Sequence, residues 1–105
     1  MILRAEIMYL AQNTTGRDFI VGDIHGYVSK LMQQLEQVNF DPQTDRVICT
    51  GDLIDRGPES AQALNLLDEE WFYSVIGNHE YMMLSALKQQ NSRDKMTWLK
   101  QGGEW

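Results

Sequence analysis

"FIVGDIHGYVSK" (Phe19–Lys30) runs three apolar residues into a Gly-Asp-Ile-His-Gly turn and then out into a segment with helical spacing. A continuous apolar run that ends in a tight polar turn and is followed by a helix is the repeating unit of a parallel α/β sheet whose strands are covered on both faces. The pattern recurs twice. Val47–Thr50, led in by Arg46, ends in "GDLIDRG" (Gly51–Gly57), and Phe72–Ile76 ends in "GNHE" (Gly77–Glu80). The chain has two histidines, and both fall inside these turns.

The connecting segments read as helices. After the first run, Val28, Leu31, Met32, Leu35 and Val38 follow a helical period, and "DPQTD" supplies a proline-containing turn. After the second, Gly57-Pro58 opens a helix with proline near its first position, and Ala61, Leu64 and Leu67 are its expected inner stripe. The third run leads into a helix near Glu80–Gln90 in which Met82, Met83, Ala86 and Leu87 pack. Beyond it "NSRDK" reads as a polar loop, and "MTWLKQGGEW" closes with a Gly-Gly turn between two tryptophans. Residues 1–16 read as an extra helix or a loosely attached arm. Within them Asn13-Thr14-Thr15 reads as a polar loop rather than a glycosylation site.

Composition narrows the function. With 105 residues, 43% of them hydrophobic, the chain is long enough for one core. A net charge of −6 and a pI near 4.7 argue against a nucleic-acid partner, because phosphate backbones are met by clustered Lys and Arg. The acidic balance is compatible with recruitment of divalent cations. Arg4 and Glu6 interrupt the apolar start, which argues against a signal peptide or a membrane span. One cysteine, Cys49, cannot form an internal disulfide and reads as a buried core thiol, so a cytoplasmic location is expected.

A single Gly-Asp turn is usually no more than a helix cap. Three in order, roughly 25 to 30 residues apart as strand-helix-strand units require, should converge at one edge of the sheet, where open α/β folds build their sites. Asp23, His25, Asp52, Asp55, Asn78 and His79 then form one set of oxygen and nitrogen donors. Without thiolate, such a set suits Mn, Fe or Zn, and a bridging aspartate lets two dications approach to about 3.5–4 Å for attack of water on phosphorus. Arg56 offers a guanidinium for a phosphate oxygen. Neither a Walker loop nor a dinucleotide fingerprint occurs.

These three blocks resemble the signature motifs of the metallophosphoesterase superfamily, in its phosphoprotein phosphatase branch, which includes the serine/threonine phosphatases. "GNHEYMML" and "WLKQGGEW" are similar to the phage-lambda-type bacterial members. The resemblance implies a βαβαβ half of an α/β/β/α sandwich, with residues 17–105 as the N-terminal portion of the catalytic domain and the second half absent. It also implies a first metal on Asp23, His25 and Asp52, and a second on Asp52 as bridge and Asn78. Arg56 would hold the phosphate together with Asn78 and His79, and His79, oriented by Asp55, would protonate the leaving oxygen. Glu80 is given a supporting role at the helix start.

The expected function is metal-dependent phosphomonoester hydrolysis, with Mn as the favoured ion and a phosphoprotein or small phosphate ester as substrate. Two alternatives stand beside it: a diadenosine tetraphosphate hydrolase, whose third block more often ends in Asp where this chain has Glu80, and a non-catalytic phosphate- or metal-binding remnant. With the second metal site incomplete, very low activity is expected of the chain alone, and the exposed sheet edge is expected to promote self-association.

Overall fold

The computed structural model describes residues 7–89 and 92–105. It is an α/β fold with three parallel strands in the order β1-β2-β3. The elements are β1 (Asp18–Val21), α1 (Val28–Gln37), β2 (Arg46–Cys49), α2 (Ser60–Asn65), a 3-10 turn over Leu66–Asp68, β3 (Phe72–Ser74), α3 (Asn78–Gln89) and α4 (Ser92–Lys100). Each run found in the sequence contains a strand, and helices alternate with them. The third strand is shorter than its apolar run: Val75 and Ile76 lie beyond it, 63% and 60% exposed.

Strand register decides which residues share a face. Phe19 pairs with Val47 and Val47 with Phe72, while Val21 pairs with Cys49. Alternation along each strand therefore puts Phe19, Val21, Val47, Cys49 and Phe72 on one side. There Val21, Val47, Cys49 and Phe72 meet Leu31 and Leu35 of α1, Ala63 of α2 and Leu66 in a single core with Ile24, Leu53 and Ile54, while Phe19 meets the ring of Phe40. The opposite face carries Ile20, Ile48 and Tyr73, with the Asp18–Arg46 pair beside them. Ile20 is 69% exposed. The apolar runs predict helices over both faces, while the resemblance to half of a two-sheet sandwich implies an apolar face that the absent sheet would cover. In the structure the strands are half-covered, because short strands of β-branched and aromatic residues give the same apolar run whether the second face is packed or not.

Two further differences concern helices. On α2 the buried positions are Ser60 and Ala63, continued by Leu66, whereas Ala61 and Leu67 face solvent and Leu64 is half-buried. The helix begins two residues later than Pro58, so its inward phase is shifted. Ser60, polar but used internally, hid that phase. "NSRDK" is also not simply a loop, since α4 starts at Ser92 and packs against α3. Among residues 7–16 no helix occurs, and the side chain of Asn13 accepts from the N–H groups of Thr15 and Gly16 while donating to the carbonyl of Thr44 at 2.8 Å. The first six residues, with Gln90 and Asn91, lie outside the described residues.

Helix ends are tied by partners from distant segments. Glu59, before α2, accepts from the N–H of Ser29 at 3.0 Å and from its hydroxyl at 2.6 Å, which places a carboxylate at the start of α1. At the other end Arg17 donates to the carbonyls of Val38 and Asn39. Arg17 also meets Asp45, whose buried carboxylate accepts from the N–H groups of Arg17 and Asp41. These bonds, that from Asp41 foremost, hold the Asp45 carboxyl below the ordinary carboxylate range.

A group with a depressed folded-state pKa stabilises the fold above its unfolded value, and that contribution fades as pH falls through the folded value. Stability should therefore drop with acidification below the ordinary carboxylate range, and Asp45→Asn should be weaker at neutral pH with a flatter acid limb, as read by urea denaturation at a series of pH values. In the same assay Leu35→Ala should lose about 2–5 kcal/mol. Ile20→Ala, on the open face, should change stability by no more than about 0.5 kcal/mol.

Candidate active site

The three turns stand side by side at the carboxyl ends of β1, β2 and β3, and backbone hydrogen bonds join the first two. The carbonyl of Asp52 accepts from the N–H groups of Ile24 (3.1 Å) and His25 (2.9 Å), Gly26 donates to Leu53, and Gly57 donates back to His25. Among the described residues five non-glycine residues have positive φ, and four of them lie here: His25 (45°), Asp52 (54°), Asp55 (73°) and Arg56 (76°). Such backbone costs about 1–3 kcal/mol per residue and persists where the surroundings over-determine it. Bulky Arg56 in this region is the most unusual of the four.

Glu80 joins the second turn to the third. Its Oε1 accepts from the N–H groups of Asp52 (2.7 Å) and Gly77 (2.9 Å), and its Oε2 accepts from that of Leu53 (2.9 Å). The N–H of His79 donates to Asp52 Oδ1 at 2.9 Å. Gly77 lies so close to Asp52 that a Cβ there would overlap the backbone nitrogen of that residue. The pairing of Gly with the acid-bearing turn is thus a matter of room.

Asp23, His25 and Asp52 bring one donor atom each to within 4.8 Å of one another. His25 Nδ1 lies 3.0 Å from the carbonyl oxygen of Ile54. A carbonyl only accepts, so Nδ1 carries a proton, and Nε2, 3.5 Å from Asp23 Oδ2, is the ring nitrogen that faces the two carboxylates and could meet a cation. Two carboxylates and one imidazole held this way fit a divalent ion of the Mn, Fe or Zn type.

Asp55 is fully buried. Its own N–H donates to Ser60 Oγ at 3.0 Å, which accounts for the buried serine of α2. Its carboxylate faces three nitrogens: His79 Nδ1 at 2.9 Å from Oδ2, Trp98 Nε1 at 3.0 and 2.9 Å from the two oxygens, and Trp105 Nε1 at 2.6 Å from Oδ1. Indole nitrogen donates and cannot accept, so Asp55 serves as acceptor and His79 Nδ1 bears a proton. The His79 ring stands edge-on to that of His25, with centroids 4.6 Å apart.

Arg56 follows Asp55 with an exposed side chain, and its N–H donates to the carbonyl of Gly102 at 3.0 Å. Gly102, at φ 105°, lies against the Arg56 backbone where a Cβ would come to 2.7 Å from its nitrogen. Asn78 is the first residue of α3 and is exposed. Cys49 is buried just beneath the turns, with its thiol directed at the carbonyls of Gly22 and Gly51, and burial pushes its pKa up. Sequence reasoning missed Trp98, Trp105 and Ser60. A signal was present in the tryptophans, which flank a Gly-Gly turn able to fold one indole back beside the other.

The chain belongs to the calcineurin-like phosphoesterase family, which it matches over residues 19–104. It is 51% identical over 87 residues to serine/threonine-protein phosphatase 2 of Salmonella typhimurium, covering 83% of this chain and 38% of that one. To the protein of the same name in Escherichia coli it is 48% identical over the same shares. A symmetrical bis(5'-nucleosyl)-tetraphosphatase of Yersinia pestis is 37% identical over 84 residues, covering 75% of this chain and 29% of that one. A crystal structure provisionally named a diadenosine tetraphosphatase superposes with a TM-score of 0.60 at 37% identity, over 87% of this chain and 45% of that one. The chain thus spans less than half the length of these relatives.

Glu80→Gln keeps the side chain's size but turns one acceptor into a donor facing backbone N–H groups. It should lower stability by about 1–3 kcal/mol, and amide hydrogen exchange at Asp52, Leu53 and Gly77 should accelerate relative to the amides of α1.

Proposed function

We propose that the chain carries the metal-binding and proton-donating part of a metal-dependent phosphomonoester hydrolase that acts on phosphorylated serine or threonine side chains. The observation that supports this most is the convergence of Asp23, His25 and Asp52 within 4.8 Å, next to a histidine whose Nδ1 is committed to the buried Asp55. The higher identity to proteins named serine/threonine-protein phosphatase than to the tetraphosphatase favours this substrate class.

In this reading Asp23, His25 and Asp52 hold one divalent ion, and Asp52 with Asn78 contributes to a second, Mn being favoured over Fe or Zn. Bound dications would supply a water of lowered pKa and neutralise charge on the phosphate. Arg56, held on a strained loop, grips phosphate oxygens, with Asn78 and His79 nearby. His79, in its imidazolium form, gives the Nε2 proton to the departing ester oxygen as the P–O bond breaks, so that the product leaves as an alcohol. Asp55 fixes the ring and balances its charge. Glu80 keeps Asp52 in register with His79. No helix among the described residues is long and apolar enough to cross a membrane, and a cytoplasmic location is part of the same reading. So is self-association through the free edges of β1 and β3, which light scattering would register as mass above 12.2 kDa.

Saturating Mn2+, at about 100 times its Kd, should stabilise the chain by about 2.7 kcal/mol, and Asp52→Asn should remove that shift. His79→Asn should leave the Mn2+ effect intact while lowering phosphate release from a phosphoseryl peptide about 10²–10⁴-fold. Faster release from diadenosine tetraphosphate than from the peptide would instead favour the tetraphosphatase reading. In a protein of the relatives' full length, Mn2+ binding with hydrolysis of neither substrate would favour a non-catalytic remnant, and no Mn2+ effect at all on this chain would overturn the metal site.

A further inference from the structure

Asp55 has more partners than orientation of one histidine requires. With His79 alone, Oδ1 of a fully buried carboxylate would lack a donor, and burying an unsatisfied charged oxygen is unfavourable by several kcal/mol in order of magnitude. The shortfall is made up by two tryptophans more than 40 residues further along the sequence. Trp98 reaches both oxygens from α4, and Trp105 reaches Oδ1 at 2.6 Å after the chain reverses through Gly102 and Gly103. The N–H of Gly103 donates to the carbonyl of Trp98 at 3.1 Å, and a Cβ on Gly103 would fall 2.5 Å from the Trp98 ring. The two indoles meet edge to face, with centroids 6.3 Å apart and planes at 87°. Rings needed only to fill space have no reason to aim both of their nitrogens at one carboxylate.

We propose that Trp98 and Trp105 are positioning residues of the acid-supplying pair: their indole N–H groups fix the plane of the Asp55 carboxylate, which holds His79 through its Nδ1–H so that Nε2, the atom bearing the transferred proton in the imidazolium form, is turned to the site. Trp105 donates to Oδ1 and Trp98 is shared between Oδ1 and Oδ2, so the remaining acceptor capacity of Oδ2 is the one that His79 Nδ1 meets at 2.9 Å. The inference rests on the reading of His79 as proton donor for its catalytic meaning, but the geometry it asserts exists without metal or substrate. By it the segment Trp98–Trp105 belongs to the site rather than to the periphery.

The test is ¹⁵N NMR on the metal-free full chain, with Trp71 as internal reference. The indole N–H signals of Trp98 and Trp105 should lie downfield of that of Trp71 and exchange with water more slowly. His79 should show a protonated Nδ1 with a slowly exchanging, downfield proton. In the double variant Trp98→Phe/Trp105→Phe that proton signal should be lost and the His79 ring nitrogens should move toward a tautomer mixture, while the backbone amides of β1 and β2 keep their positions. A folded double variant with an unchanged His79 ring spectrum would overturn the proposal. Should the double variant not fold, the unsubstituted chain decides: indole signals at the exposed position, exchanging as fast as a free indole, would overturn it equally. Because no metal is present, failure of Mn2+ binding and failure of this inference are read separately.

Discussion

The carboxylate of Glu80, bonded to three backbone N–H groups, is the tie on which the arrangement of the turns depends. Two of those donors, Asp52 and Leu53, belong to the turn after β2, and the third, Gly77, opens the turn after β3. The donors lie where strands end and the ladder can no longer use them, so without Glu80 three partly or wholly buried N–H groups would have no acceptor. A negative charge near the first turn of α3 is also favourable by its position alone. With this tie in place, the N–H of His79 reaches Asp52 and the backbone of Asp52 reaches the first turn, so one side chain sets the mutual position of all three.

Around that tie the site stores strain and burial that a purely structural turn would avoid. His25, Asp52, Asp55 and Arg56 adopt left-handed backbone without glycine's freedom, and Asp55 is a wholly buried acid. The compensation is local. Ser60 takes the Asp55 N–H, three ring nitrogens take its carboxylate, and the packed core of Leu53, Ile54, Val47 and Cys49 lies directly beneath. The stable half of the molecule thus holds the unfavourable half in place, which is the usual relation of a scaffold to a reactive site.

Much of this was legible in the residue order. Apolar runs located the strands, and glycine-acid punctuation located the turns, because both are local signals set by backbone sterics and burial. What escaped notice depended on long-range partners. The phase of α2 hinges on Ser60, polar by type and buried because the Asp55 N–H points at it. The helical state of α4 was hidden by the polarity of "NSRDK", since that helix shows most of its surface to solvent. Coverage of the second sheet face could not be read from Ile20 or Ile48, whose apolar character is the same on an open face as on a closed one. The indoles were passed over for a similar reason, as a tryptophan near a Gly-Gly turn does not announce which acceptor its nitrogen will find more than 40 residues back.

That separation shapes how the molecule comes into being. The Asp55 contacts with Trp98 and Trp105 close loops of 43 and 50 residues, against 28 for the Arg46–Asp18 pair that locks β1 to β2. Ends so far apart lose more chain freedom before any contact rewards them. On the ribosome, where synthesis proceeds from the amino end, the sheet and its first two turns can assemble while the tryptophans are still inside the exit tunnel. The carboxylate at the centre of the nascent fold then waits in an incomplete shell until Trp98 and Trp105 emerge to complete it.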